Sequence, residues 1–131
     1  MEREGYVSLW IGNIKTDDEL LEYVELVYTD AGDWLPSQFL KDFNIDIDDF
    51  DDDCIERVCL EQNVTSITEL ISGCSYEDIV IPRYEKITDG VSIVKCNSGI
   101  LLYNFQYDGN VKSINNKDYE FKFISSVEYG K

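Results

Sequence analysis

The chain has 131 residues, 44% hydrophobic and 13% aromatic, enough for one domain with a sizeable core and too apolar for a disordered chain. Its 27 acidic residues outnumber 11 basic ones, and the formal net charge of −16 excludes affinity for nucleic acid or an anionic membrane and favours a basic partner. The opening "MEREGYVSLW" has no long apolar run, so neither a signal peptide nor a membrane span is expected, and the chain is read as cytoplasmic and monomeric when free.

Residues 6–12, "YVSLWIG", are β-branched and aromatic and end at Gly12-Asn13, the pattern of a buried first strand with Trp10 in the core. Thr16-Asp17-Asp18-Glu19 is a capping box, in which hydroxyl and carboxylate satisfy free amides at a helix start. The helix it opens carries Leu20, Val24 and Val27 on one stripe, widened by Leu21 and Tyr28, with Glu22 and Glu25 turned outward. "DAGDW" is a turn, and Pro36 suits the first position of a short second helix with Phe39 and Phe43 on one side. Ser37 reads as a helix-entry residue rather than a nucleophile. "CIERVCLEQ", residues 54–62, sets Ile55, Arg57 and Cys59 against Glu56, Val58 and Leu60, an ambiguous alternation read as a strand. Ser66-Ile67-Thr68-Glu69 repeats the capping box, and Gly73 can end that helix in the left-handed conformation.

From Ile79 onward the chain reads as a β-meander. Asn97-Ser98-Gly99 separates "VSIVKC" from "ILLYNFQY", Asp108-Gly109 is the strongest hairpin signal, and Asn115-Asn116 turns into the last strand, "YEFKFISSVEY". The class is α+β: early helices packed on a mostly antiparallel sheet with a C-terminal β-meander, in a single domain over residues 1–131.

Charge is distributed unevenly, with a net of −17 over residues 1–89 and +1 over residues 90–131. The densest stretch, "DFNIDIDDFDDD" at residues 42–53, holds seven aspartates and no Lys or Arg. Three readings compete for it: a calcium loop, a surface for a basic partner, or a solvated run without a task. An EF-hand spacing starting at Asp42 puts Ile47 where glycine is required and Asp53 where a bidentate Glu is required, which counts against calcium. Ile45, Ile47 and Phe50 interleave with the acids and would anchor the run, holding its carboxylates in place as a free tail would not. Asp46, Asp48, Asp49, Asp51, Asp52 and Asp53 are therefore the candidate partner-binding residues. Asp33 and Trp34 join them, because Trp34 is either core or an exposed aromatic among acids, the usual composition of a binding hot spot.

Catalysis finds little support. The chain has no histidine, no GxGxxG and no P-loop, and facing carboxylate pairs would arise by chance among 27 acids. Cys54, Cys59, Cys74 and Cys96 lack the paired spacing of a zinc site and are expected as free thiols, so neither a metal nor a cofactor is expected.

"VSLWIGN" at 7–13, "YTDAGDWLPSQFLKDFNID" at 28–46 and "FKFISSVEYG" at 121–130 together resemble the immunity protein 22 family of bacterial polymorphic toxin systems. Gly32-Asp33, Pro36 to Phe39 and Asp42-Phe43 carry the most specific part of the likeness. The resemblance implies a small cytoplasmic protein that binds a cognate toxin and protects the producing cell or its kin. The acidic balance narrows that partner to a basic toxin domain, such as a nuclease whose phosphate-binding surface is positive. A DNA mimic acting on a host nucleic-acid-binding protein, and a cation-responsive scaffold domain, are the alternatives.

Overall fold

A computed structural model describes residues 2–49, 54–88 and 95–129 of the chain. Strand β1 (Glu2–Ile14) leads into helix α1 (Asp17–Val24), a hairpin of β2 (Val27–Tyr28) and β3 (Trp34–Leu35), and helix α2 (Gln38–Asp42). After a 3-10 turn at Ile47–Asp49 come β4 (Ile55–Val64), α3 (Ile67–Ile71), α4 (Glu77–Thr88), β5 (Cys96–Phe105), β6 (Ser113–Asn115) and β7 (Tyr119–Glu128). The main sheet has the order β4-β5-β1-β7-β6, and every neighbouring pair in it is antiparallel. The α+β class expected from the sequence is the one observed.

β1 occupies the middle of this sheet and is covered on both faces. Val7, Leu9 and Ile11 point to one side, where α3 and α4 bring Ile67, Leu70, Val80 and Tyr84. Trp10 and Ile14 point to the other, where α1 and α2 bring Leu20, Tyr23, Phe39 and Phe43. Period-2 alternation thus serves two separate cores, one above and one below the sheet.

The caps explain why the helices start where they do. Thr16, Ser37 and Ser66 each accept a hydrogen bond from the backbone N–H three residues on, at 3.1, 3.2 and 3.4 Å. Ser37 is the cap itself, so Pro36 stands just outside the helix rather than at its first position. α1 ends at Val24, which removes Val27 and Tyr28 from the helical stripe and places both in β2 with exposed side chains. The segment from Ile79 is helical up to Thr88, although Ile79, Val80 and Ile81 are β-branched and favour a strand. Tertiary packing decides it: Val80 and Tyr84, one turn apart, are both fully buried against the sheet. The Tyr84 hydroxyl also reaches the carbonyls of Val7 (3.0 Å) and Ser125 (2.9 Å), tying α4 to β1 and β7.

Two turn signals resolve differently from expectation. Asn97-Ser98-Gly99 lies inside β5, paired with β1 and β4, and most of "VSIVKC" lies outside the described residues. Asp108-Gly109 does make a turn, with Asp108 Oδ1 accepting from Asn110 N–H at 2.9 Å. That turn is not a hairpin, because β1 and β7 stand between β5 and β6 in the sheet. The chain instead wraps around the Tyr107 hydroxyl, which donates to the Phe43 carbonyl (2.6 Å) and accepts from Val111 N–H (2.8 Å). The turn at Asn116 does join neighbours, β6 and β7.

Gly12 marks a close approach within β1 rather than its end. A Cβ built there would sit 1.9 Å from the Glu120 carbonyl oxygen and 2.7 Å from Phe121 Cδ1. The backbone of β7 must move to admit one, so Gly12→Ala is expected to cost roughly 1–3 kcal/mol or more, read from urea unfolding of both proteins. An unchanged midpoint would show that the two strands are not held this closely.

Alkaline stability follows from the buried phenols and thiols. Desolvation raises the pKa of Tyr23, Tyr84 and Tyr103 well above the ordinary phenol value, and the Asp42 carboxylate raises Tyr23 further. Burial pushes the Cys96 thiol up to about 11. In the unfolded chain these protons leave from about pH 9 for thiols and about pH 10 for phenols. Above those values the folded state holds more protons than the unfolded one, so stability falls as pH rises. Unfolding midpoints are expected to stay flat up to about pH 9 and then decline, with part of the phenolate absorbance appearing only as the chain unfolds. A midpoint that holds steady to pH 11 would contradict this.

Candidate partner surface

α1 ends in a residue that turns the chain outward. Glu25 leaves the helix with extended backbone angles while its N–H still donates to Leu21 (2.9 Å), and β2 begins two residues later. Val27 pairs with Leu35 and Tyr28 with Trp34. Between them, Thr29 N–H donates to the Asp33 carbonyl at 2.8 Å, and Asp33 N–H donates to Thr29 Oγ1 at 3.1 Å. Gly32 adopts φ +89°, a left-handed angle that a side chain would oppose, so the glycine of "DAGDW" is what lets the loop close.

This hairpin exposes four large apolar side chains. Tyr28 is 59% exposed and Trp34 56%, and their rings lie against each other with centroids 4.6 Å apart. Val27 and Leu35 are also exposed, and so are Glu25, Asp30 and Asp33, their neighbours in sequence. Trp34, for which core and surface were equally open readings, is therefore on the surface. Tyr28, which the periodicity assigns to the helical stripe, is on the surface as well. "VYT" and "WL" on either side of a Gly-containing turn was the hairpin signal that could have located it.

α2 sets the direction of the aspartate run. Asn44 takes a left-handed φ of 56°, Asn44 N–H donates to Lys41 (3.3 Å) and Ile45 N–H donates to Leu40 (2.9 Å). These two bonds form a Schellman motif, with Ile45 buried behind it. Asp46 Oδ1 then accepts from Asp48 N–H at 2.9 Å, opening the 3-10 turn. Ile47 packs half-buried on the core between them, leaving Asp46 and Asp48 exposed on either side of an anchored residue. Asp49 belongs to the same turn, whereas Phe50, Asp51, Asp52 and Asp53 lie outside the described residues.

Not every acid of the stretch is available to a partner. Asp42 accepts hydrogen bonds from Tyr23 (2.9 Å), Tyr119 (3.3 Å) and Gln38 (2.8 Å), joining α1, α2 and β7. The candidate residues thus fall into two groups, Asp33 with Trp34 on the hairpin and Asp46 with Asp48 after α2. The thiols of Cys59, Cys74 and Cys96 are all pushed up, chiefly by burial, the opposite of what a nucleophilic thiolate requires. Among the described residues, no group of three or more His, Cys, Asp or Glu side chains could hold a metal ion, and no helix is long and apolar enough to cross a membrane. The described residues thus present an exposed aromatic pair on the β2–β3 hairpin, with exposed acidic residues near it in sequence and again after α2.

No curated protein and no solved structure matches this chain. The sequence model of the family described as Immunity protein 22 matches residues 7–130, nearly the whole length, and the chain therefore belongs to the Immunity protein 22 family.

Proposed function

We propose that this protein neutralises a cognate toxin by binding it, and that the toxin is a basic domain, most simply a nuclease. The supporting observation is the exposed Tyr28–Trp34 pair, with exposed Asp30 and Asp33 in the turn between the two strands, on a chain that belongs to an immunity-protein family. A Tyr and a Trp packed on each other and both more than half exposed make an apolar patch of the kind that marks a contact site. Trp and Tyr are also the residues that most often dominate a protein interface, since they bury large area at low entropic cost.

In this reading the two groups of residues act at different stages. Asp46, Asp48, Asp49, Asp51, Asp52 and Asp53 supply a negative field that steers a cationic toxin and occupies the surface its phosphate-bearing substrate would need. Asp33 borders the anchor formed by Tyr28 and Trp34, where water is expelled and residence time is set. Neither step asks for bond-making chemistry from this chain.

Two sets of variants separate these roles. Trp34→Ala and Tyr28→Ala are each expected to weaken toxin binding by roughly 2–4 kcal/mol, almost all of it in faster dissociation. Asn in place of Asp46, Asp48, Asp49, Asp51, Asp52 and Asp53 together is expected to slow association and flatten its salt dependence, with folding stability unchanged or slightly higher. The measurement is binding kinetics to the toxin domain encoded immediately upstream, at two salt concentrations. Wild-type rates in both sets would remove the hairpin and the run from the interface.

A further inference from the structure

β4 forms one outer strand of the sheet. β5 pairs with one of its edges, and among the described residues nothing pairs with the other. The strand at the far side, β6, is only three residues long, which is a common way of making an edge too short to recruit another chain. β4 is longer, and Ile55 to Cys59 stay in continuous register opposite Leu102 to Ser98. It contains neither Pro nor Lys, the residues that most often guard such edges. Its register breaks only beyond Cys59.

The charges that could guard this stretch are folded back onto the protein. Glu56 accepts from Ser75 N–H (3.0 Å) and Ser75 Oγ (2.6 Å), which holds it toward the start of α4. Arg57 donates through Nε and Nη2 to the two carboxylate oxygens of Asp17 (3.2 and 3.3 Å), at the start of α1. Alternate backbone groups of the edge strand are left directed outward.

Each face of the sheet also has a groove beside the same residues. On one face Leu21, Val24 and Glu25 of α1 and its cap stand across about 240 Å³ from Ile55 and Arg57. On the other, Ser72, Gly73 and Cys74 stand across about 300 Å³ from Glu56 and Val58. A strand added to this edge would send successive side chains alternately into the two grooves.

Charge selects the occupant. Glu25, Glu56 and Glu61 border the edge, the lone cation among its first five residues is already matched by Asp17, and the aspartate run ends at Asp53, two positions before β4 begins. A second copy of this chain would bring its own −16 to the same place. We infer that the edge of β4 at Ile55–Cys59, unpaired among the described residues, accepts an extended, Lys- or Arg-bearing segment of the toxin as a sixth strand of the sheet. This inference rests on the proposed toxin-binding function and adds the mode of docking.

The test combines hydrogen exchange with two exposed groove variants, using the toxin domain encoded immediately upstream. In the complex, alternate amides within Ile55–Cys59 are expected to exchange at least about tenfold more slowly than in the free protein. Leu21→Lys and Ser72→Lys, one in each groove, are each expected to weaken binding about tenfold by bulk and like charge while leaving the melting temperature unchanged. Tight binding with unaltered β4 exchange overturns the inference and leaves the toxin-binding reading standing. No binding at all overturns both. Protection of β4 that appears in the free protein and grows with its concentration assigns the edge to a second copy, and also overturns the inference.

Discussion

Everything else in the fold is arranged around the two-sided burial of β1. A strand paired on both edges and covered on both faces leaves its side chains nowhere to go but into a core, and "VSLWIG" supplies apolar bulk at almost every position. Trp10 is the pivot on one face. Its ring lies 4.9 Å from Phe39, 5.8 Å from Phe43, 5.3 Å from Tyr107 and 5.3 Å from Phe123, so one side chain locates α2, the segment after β5, and β7. Ser8, the polar exception, is fully buried but matched: its hydroxyl bonds to the Phe105 carbonyl (2.9 Å) and Ser126 Oγ (2.6 Å) and accepts from Tyr107 N–H (3.1 Å). Polar contacts at that position hold β7 and the segment after β5, two of the three neighbours that Trp10 contacts.

The acidity is compatible with this core because many carboxylates sit where the backbone or a neighbour offsets them. Asp17, Asp18 and Glu19 occupy the first turn of α1, and Glu77 and Asp78 that of α4, where unpaired amides favour negative charge. Asp42, Glu56 and Asp17 have hydrogen-bonding partners within the chain. Asp46 and Asp48 differ: they are exposed and have no cation beside them in sequence, yet Ile45 and Ile47 hold their backbone against the body. Holding like charges in place raises the energy of the free protein, and the proposed cationic partner would relieve that energy on binding.

What could be read from the sequence was what local chemistry decides. Thr16, Ser37 and Ser66 announce their helices through a hydroxyl and a backbone amide three residues apart, a contact that needs no tertiary context. The signals that misled were those that tertiary packing outvotes. Ile79 to Ile81 resemble a strand until Val80 and Tyr84 find the sheet, and Gly99 resembles a turn until Val58 packs within 3.2 Å of where its Cβ would be. The unclear alternation of β4 has a physical cause as well. Ile55 and Cys59 face the core of α1 and α2 while Val58 and Leu60 face that of α3 and α4, so neither parity is the polar one. In the candidate surface the aspartates were legible as composition and Trp34 as a possibility. Tyr28 was not, because a helix continued by four residues beyond Val24 and a two-residue strand both accommodate Val27-Tyr28.

Charge and apolar area contribute to different quantities, and the surface contains both. A field of fixed carboxylates raises the rate of encounter but loses most of its hold once salt screens it, so it does not by itself give a long-lived complex. Long residence needs groups that leave water. α1 links the places where such groups occur: Asp17 at its start holds Arg57 of β4, half-exposed Leu21 lies midway, and Glu25 at its end both lines the groove beside β4 and leads into the hairpin two residues on. A partner that reached from the β4 edge to the Tyr28–Trp34 pair would therefore cross the outer face of one short helix. Its cations would meet Glu22 and Glu25 along that path, and its apolar contacts would lie at Leu21 and at the Tyr28–Trp34 pair, where desolvation makes each charge pair count for more.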